Sequence, residues 1–184
     1  MEARRVALLQ QMPLFGGIRE DVLAFLVSVS RDAHVGRGEY FFREGEPGES
    51  MFVLEGGAVE VTRRNADTTL VLCSLSAGNS FGEMALIDLG PRSASVRAVE
   101  DCCGFELFAG GLFALYERDL EQFALIQMNM ARELSRRLRR ADDRLLDVLQ
   151  HLPGPSIRRR SRLSASVRPP ITSSQRQETG PARP

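Results

Sequence analysis

SFGEMALIDLGPRSASVRA, residues Ser80–Ala98, is the stretch on which the reading of this 184-residue chain turns. Phe81 ends a strand, and Gly82 is the residue type that lets a backbone turn sharply and approach a ligand closely. Glu83 to Ile87 suits a single helical turn, whose unpaired amides form an anion site. Pro91 stiffens the return, Arg92 offers a planar fork that matches a phosphate, and Ser93 adds a hydroxyl and a backbone amide. A carboxylate beside an anion site is contradictory unless the ligand also carries a hydroxyl, as a ribose does. The pattern points to a nucleotide with a compact phosphate and a free 2′-hydroxyl.

Short β-type runs surround this stretch between Ala33 and Phe108. They are Tyr40–Phe42, Met51–Leu54, Ala58–Thr62, Leu70–Leu75, Ala94–Ala98 and Gly104–Phe108, separated by turn clusters at 43–50 and at Asn65-Ala66-Asp67. Closely spaced short strands with Gly, Pro and Asx punctuation predict a jelly-roll type of β-roll. Ahead of it, Arg4–Met12 reads as a short helix ended by Pro13, Leu14–Gly17 as a turn, and Arg19–Val29 as an amphipathic helix. After Gly110-Gly111 one long helix is expected over about 112–150. Its apolar seam runs Leu120, Ala124, Gln127, Ala131, Leu134, Leu138, Ala141, Leu145 and Val148, about four heptads of alternating spacing. Such a seam either folds back as core or pairs with another copy. The predicted class is α+β: a mainly antiparallel β-roll flanked by N-terminal helices and a long C-terminal helix. The domain is expected over 1–151, and 152–184, rich in Arg, Ser and Pro, as a disordered tail.

Composition narrows the function. Apolar residues make up 43% and charged residues 26%, values ordinary for a chain that buries a core, and 24 basic residues balance 24 acidic ones. The balance hides an asymmetry, because 152–184 carries seven arginines and one acid. No apolar run approaches the ~18–20 residues of a membrane span and no signal-peptide core is visible, so a cytoplasmic location is expected. Three cysteines, Cys73, Cys102 and Cys103, without a C-x-x-C spacing suit neither a disulfide scaffold nor a zinc or iron–sulfur site, and they are expected to act as small buried hydrophobes. His34 and His151 are the only histidines, too few for a His-rich metal centre. No metal and no cofactor is expected.

The 80–98 stretch resembles the phosphate-binding cassette of the cyclic nucleotide-binding domain, the family of catabolite activators, kinase regulatory subunits and nucleotide-gated channels. Phe42–Val61, FREGEPGESMFVLEGGAVEV, is similar to that family's glycine-punctuated hairpin, with Gly45, Gly48 and Gly57 at its turns. Leu14-Phe15 resembles the family's lead-in to its first long helix. The resemblance implies that Glu83 takes the ribose 2′-hydroxyl and Arg92 the cyclic phosphate. Gly82, Ala85, Ser93 and Ala94 would offer backbone amides, with Met84 beside them. Leu134, Arg137 and Leu138 are the candidates for covering the base, Arg137 by stacking its guanidinium on the purine. Ser93 does not decide between cAMP and cGMP.

The catabolite-activator branch continues with a helix-turn-helix domain, for which the residues after Pro153 show no periodicity. No internal repeat suggests the tandem domains of kinase regulators, and no spans suggest a channel. The implied function is a stand-alone, non-catalytic sensor of cAMP or cGMP, without its own DNA-binding domain, that signals through its C-terminal helix to a partner and can pair through that helix as a homodimer. The alternative is a scaffold with a degenerate pocket and a basic docking tail. An enzyme is not expected, since one carboxylate without a neighbouring base or metal cannot run a hydrolysis.

Overall fold

The computed structural model describes residues 2–66 and 68–151; Met1, Asp67 and the expected tail 152–184 lie outside them. Helix α1 (Glu2–Gln11), a 3-10 turn (Pro13–Phe15) and α2 (Glu20–Ser28) come first. Eight strands follow: β1 (Arg31–Val35), β2 (Tyr40–Phe42), β3 (Ser50–Gly56), β4 (Ala58–Asn65), β5 (Thr68–Ser76), β6 (Ser80–Phe81), β7 (Ser95–Ala98) and β8 (Cys102–Phe108). Helix α3 (Glu83–Asp88) sits between β6 and β7, and α4 (Ala109–Arg118) and α5 (Leu120–His151) close the described chain. Among the described residues, no helix is long and apolar enough to cross a membrane.

The strands form two antiparallel four-stranded sheets, ordered β1-β8-β3-β6 and β2-β7-β4-β5. Strand β3 explains how one chain serves two cores. Its alternate residues point to opposite faces, so Met51 and Val53 join the helices while Phe52 and Leu54 fill the roll. The helix-side core collects Leu9, Phe15, Leu23, Leu26, Leu115, Ile126 and Met130; the roll is filled by Phe42, Phe52, Phe81, Val59, Val96 and Ala98. Phe52 and Phe81 stack with ring centres 5.6 Å apart, and Phe41 meets both edge-on.

Three expectations change. The single helix over about 112–150 is two helices, broken at Asp119. The Asp119 carboxylate accepts from the Gln122 amide at 3.1 Å and so starts α5, an Asp-x-x-Gln signature visible in the sequence. Strand β1, Arg-Asp-Ala-His-Val, carried no apolar run to reveal it and is held by pairing with β8. The expected seam of α5 is not the packed face. Leu120, Leu138, Leu145 and Val148 are exposed, while Gln122, Ile126, Asn129 and Met130, one or two residue steps from the seam and so on another side of the helix, are buried. Two of those four are polar because they cap neighbouring backbone: Gln122 Oε1 accepts from Arg19 N at 2.8 Å and Asn129 Nδ2 donates to Gly16 O at 2.9 Å.

Candidate functional site

The 80–98 stretch turns where the sequence said it would. Gly82 has φ 87°, and a Cβ there would lie 2.7 Å from Arg92 Nη1. Gly48 brings the 43–49 turn so close that a side chain would collide with Ala85 and press on Arg92. The same turn is stitched to the stretch by backbone bonds from Arg92 N to Glu46 O (2.8 Å) and from Gly45 N to Arg92 O (2.9 Å). Two motifs far apart in sequence thus form one wall.

That wall bounds a cavity of about 300 Å3, at the small end of ligand pockets. All eight residues singled out from the sequence, Gly82, Glu83, Met84, Ala85, Arg92, Ser93, Ala94 and Arg137, line it. Leu134 and Leu138 do not; Leu138 is 63% exposed. The sequence reading missed the opposite wall, which is built from Val61 and Arg63 of β4 and Leu72, Cys73 and Leu75 of β5. Strand alternation cannot tell a cavity-facing residue from a core-facing one, which is why these escaped. Cys73 is accordingly not a core hydrophobe: it is half-buried and faces the cavity, whereas Cys102 is buried.

Arg92 is 6% exposed and lies 4.1 Å above the Phe42 ring. Its Nη1 donates to Ser50 O and to Gly82 O (3.0 Å), and its Nη2 donates to Ser50 Oγ at 2.9 Å. Ser50 Oγ in turn donates to Glu106 at 2.6 Å. Burial lowers the Arg92 pKa, and the acids Glu106, Glu46 and Glu83 oppose that shift. Glu83 is 3% exposed. Burial pushes its carboxyl up, against the pull of Arg137, whose Nη1 donates to Glu83 Oε1 at 2.6 Å. Arg137 also donates to Ser80 O at 3.0 Å. The residue expected to stack on a base is thus engaged sideways with the carboxylate, and the partner of Glu83 is Arg137 rather than Arg92.

Two buried side-chain polar atoms lack a hydrogen-bond partner among the described residues: Glu83 Oε2 and Arg92 Nε. Buried polar groups are nearly always satisfied, and here one acceptor and one cationic donor stand unpaired on the same cavity wall. Together they suit a ligand that offers a hydroxyl to the acceptor and an anionic oxygen to the donor. Among the described residues, no group of three or more His, Cys, Asp or Glu is arranged to hold a metal.

The matches to known proteins span the same region of the chain. Residues 33–119 match the family model described as "Cyclic nucleotide-binding domain". The chain is 35% identical over 133 residues to the cyclic AMP receptor protein of Thermus thermophilus, covering 71% of this chain and 59% of that one. It is 31% identical over 143 residues to the cGMP-dependent protein kinase, isozyme 1, of Drosophila melanogaster, covering 71% of this chain and 19% of that one. A crystal structure of a cyclic nucleotide-binding domain from Methylobacillus flagellatus superposes with a TM-score of 0.72 at 24% identity, over 85% of this chain and 86% of that one, a likeness of fold. The chain spans about three fifths of the bacterial relative and about a fifth of the kinase.

Proposed function

We propose, because this chain belongs through residues 33–119 to the cyclic nucleotide-binding domain family, that its cavity takes cAMP or cGMP and that it acts as a non-catalytic sensor. One observation carries the reading: the two unpartnered buried polar atoms of the described residues, Glu83 Oε2 and Arg92 Nε, belong to the two side chains the cassette would use and border one cavity. Glu83 Oε2 accepts from the ribose 2′-hydroxyl while Oε1 keeps Arg137. Arg92, already fastened by Ser50 and Gly82, turns its unpartnered Nε–H to the cyclic phosphate. An anion there offsets the cost of a buried guanidinium. The apolar wall of Val61, Leu72 and Leu75 receives the purine.

Helix α5 is the output element. It borders the cavity through Arg137, which bonds Glu83 and Ser80 O, and touches strand β5 through Arg144, whose Nη1 donates to Leu72 O at 2.8 Å. Beyond Arg137 the same helix carries exposed Leu138, Leu145, Leu146 and Val148, an apolar face for a partner protein or a second copy of the chain. Sedimentation at micromolar concentration, with and without nucleotide, tests pairing: a monomer under both conditions removes the homodimer.

The ligand reading is tested by thermal shift. At a hundredfold excess over Kd a ligand adds about 2.7 kcal/mol, which for a chain of this size raises Tm by about 5–10 °C. AMP, an open dianion facing a single arginine, should shift it far less. No rise at millimolar cAMP or cGMP would leave the roll as a scaffold.

A further inference from the structure

The cavity holds a nucleophile that the sensor reading does not use. Cys73 lies on β5 opposite Val61 of β4, and both line the cavity. The register there is irregular: Val61 pairs with Cys73 but Thr62 pairs with Val71, so Leu72 is an additional residue on β5. A bulge of this kind re-aims neighbouring side chains, and Leu72 and Cys73, adjacent in sequence, both border the cavity instead of alternating away from it. Cys73 forms no disulfide, is half-buried and lines the cavity.

The other two thiols differ. Cys102 is buried, burial pushes its pKa up, and its Sγ is held near Ala58 O and Glu100 O. Cys103 is half-buried on β8 and does not border the cavity. Cys73 stands across from the wall where Glu83 and Arg92, each more than nine-tenths buried, keep an unpartnered atom. A ligand fixed there by its sugar and phosphate extends its base over the Val61–Cys73 wall. A group attached to Cys73 would occupy part of the same cavity of about 300 Å3 that the base needs.

We infer that Cys73 is a modification site that closes the nucleotide cavity, and that its natural reagent is a low-molecular-weight disulfide; the inference rests on the cyclic nucleotide reading above. The Cys73 thiol loses its proton to solvent and the thiolate attacks one sulfur of the disulfide. The reagent's S–S bond breaks, a Cys73–S–S bond forms, and the departing thiolate takes up a proton. Cys73 is oxidised and half of the reagent is reduced, so no further oxidant is needed. A reducing thiol reverses the step and reopens the cavity. The occupied cavity and the modified thiol exclude each other.

The test uses the full chain and dithiobis(nitrobenzoate), which releases one coloured thiolate per thiol attacked; peptide mass spectrometry assigns the modified cysteine. Calorimetry first establishes whether cAMP or cGMP binds the reduced protein. At about a hundredfold excess of nucleotide over Kd only about one cavity in a hundred is open, so Cys73 should react tens of times more slowly while Cys103 keeps its rate. The Cys73-modified protein should lose more than about tenfold in nucleotide affinity and regain it with dithiothreitol. Cys73→Ser should ignore the reagent, and its own nucleotide affinity, whatever its value, should be the same before and after reagent treatment. If calorimetry registers bound nucleotide while Cys73 reacts at its free rate, the inference is overturned and the sensor reading stands. If neither nucleotide binds the reduced protein, the sensor reading fails and takes this inference with it.

Discussion

On the cassette side of the cavity, Glu83 and Arg92 are almost wholly buried, and each keeps one polar atom unpaired. On the far side, Leu72 is exposed, Arg63 leans out to Glu44 at 3.2 Å, and Arg137 reaches in from a helix whose later leucines lie in solvent. The walls differ in how much water they exclude. Where water is excluded a charge is costly alone and strongly held when paired; where water remains, an ion pair is worth ~1 kcal/mol or less. The cassette wall should therefore carry affinity and stability together, and the far wall should modulate affinity with little effect on stability.

Arg92→Ala is the largest test of that contrast. Losing the phosphate contact should cost about 2–4 kcal/mol of binding, a thirty- to thousandfold weakening by calorimetry, roughly. The same substitution removes the donors that serve Ser50 O, Ser50 Oγ and Gly82 O, so Tm should fall as well. A variant that melts like wild type would mean that this guanidinium does not hold the wall together.

Glu83→Ala comes next, with about 1.5–3 kcal/mol lost for a ribose ligand. The loss should nearly vanish for a 2′-deoxy cyclic nucleotide, which never made the contact, whereas Arg92→Ala should penalise both ligands alike. Equal losses for both ligands in both variants would break the assignment of one side chain to one ligand group.

Arg137→Ala probes the far wall. Its side chain is one-third exposed, so its screened contact should change affinity only severalfold, while loss of the partner of buried Glu83 should lower Tm by less than Arg92→Ala does. A loss matching that of Arg92→Ala would erase the contrast between the walls.

The smallest effect is in pH dependence. Burial holds the Glu83 carboxyl above its usual range in the folded chain. The neutral acid is therefore favoured by folding, and that stabilisation is complete below the unfolded-state value and lost as pH rises through the folded one. Glu83→Gln, which cannot ionise, should gain in Tm relative to wild type as pH climbs from the ordinary carboxylate range toward neutrality. Calorimetric melts across that window check it; parallel curves would mean Glu83 is ionised equally in both states.

The cassette was legible because its constraints are local. A left-handed glycine, a proline and an arginine within about ten residues leave few conformations, and side chains that close in sequence stay close in space. The far wall was not, since Val61, Cys73 and Leu75 read as ordinary strand residues, and only the pairing of β4 with β5 turns them toward the cavity. Helix α5 was half-legible. Its existence follows from periodicity, but its packed face does not, because Gln122 and Asn129 are buried by the backbone groups of Arg19 and Gly16 that they satisfy.

Sequence alone determined the strand-and-turn rhythm of the roll, the helices on either side of it, and the turn that brings Gly82, Glu83 and Arg92 together in the cassette. Each is a matter of short-range sterics, spacing and residue chemistry, which act before the chain is packed. Tertiary structure alone decided that Arg137 joins Glu83 from 54 residues away, that Cys73 faces a cavity, and that the later leucines of α5, from Leu138 on, stay in solvent. Those outcomes depend on which surfaces meet, and burial, the quantity that ranks their energies, has no value until they do.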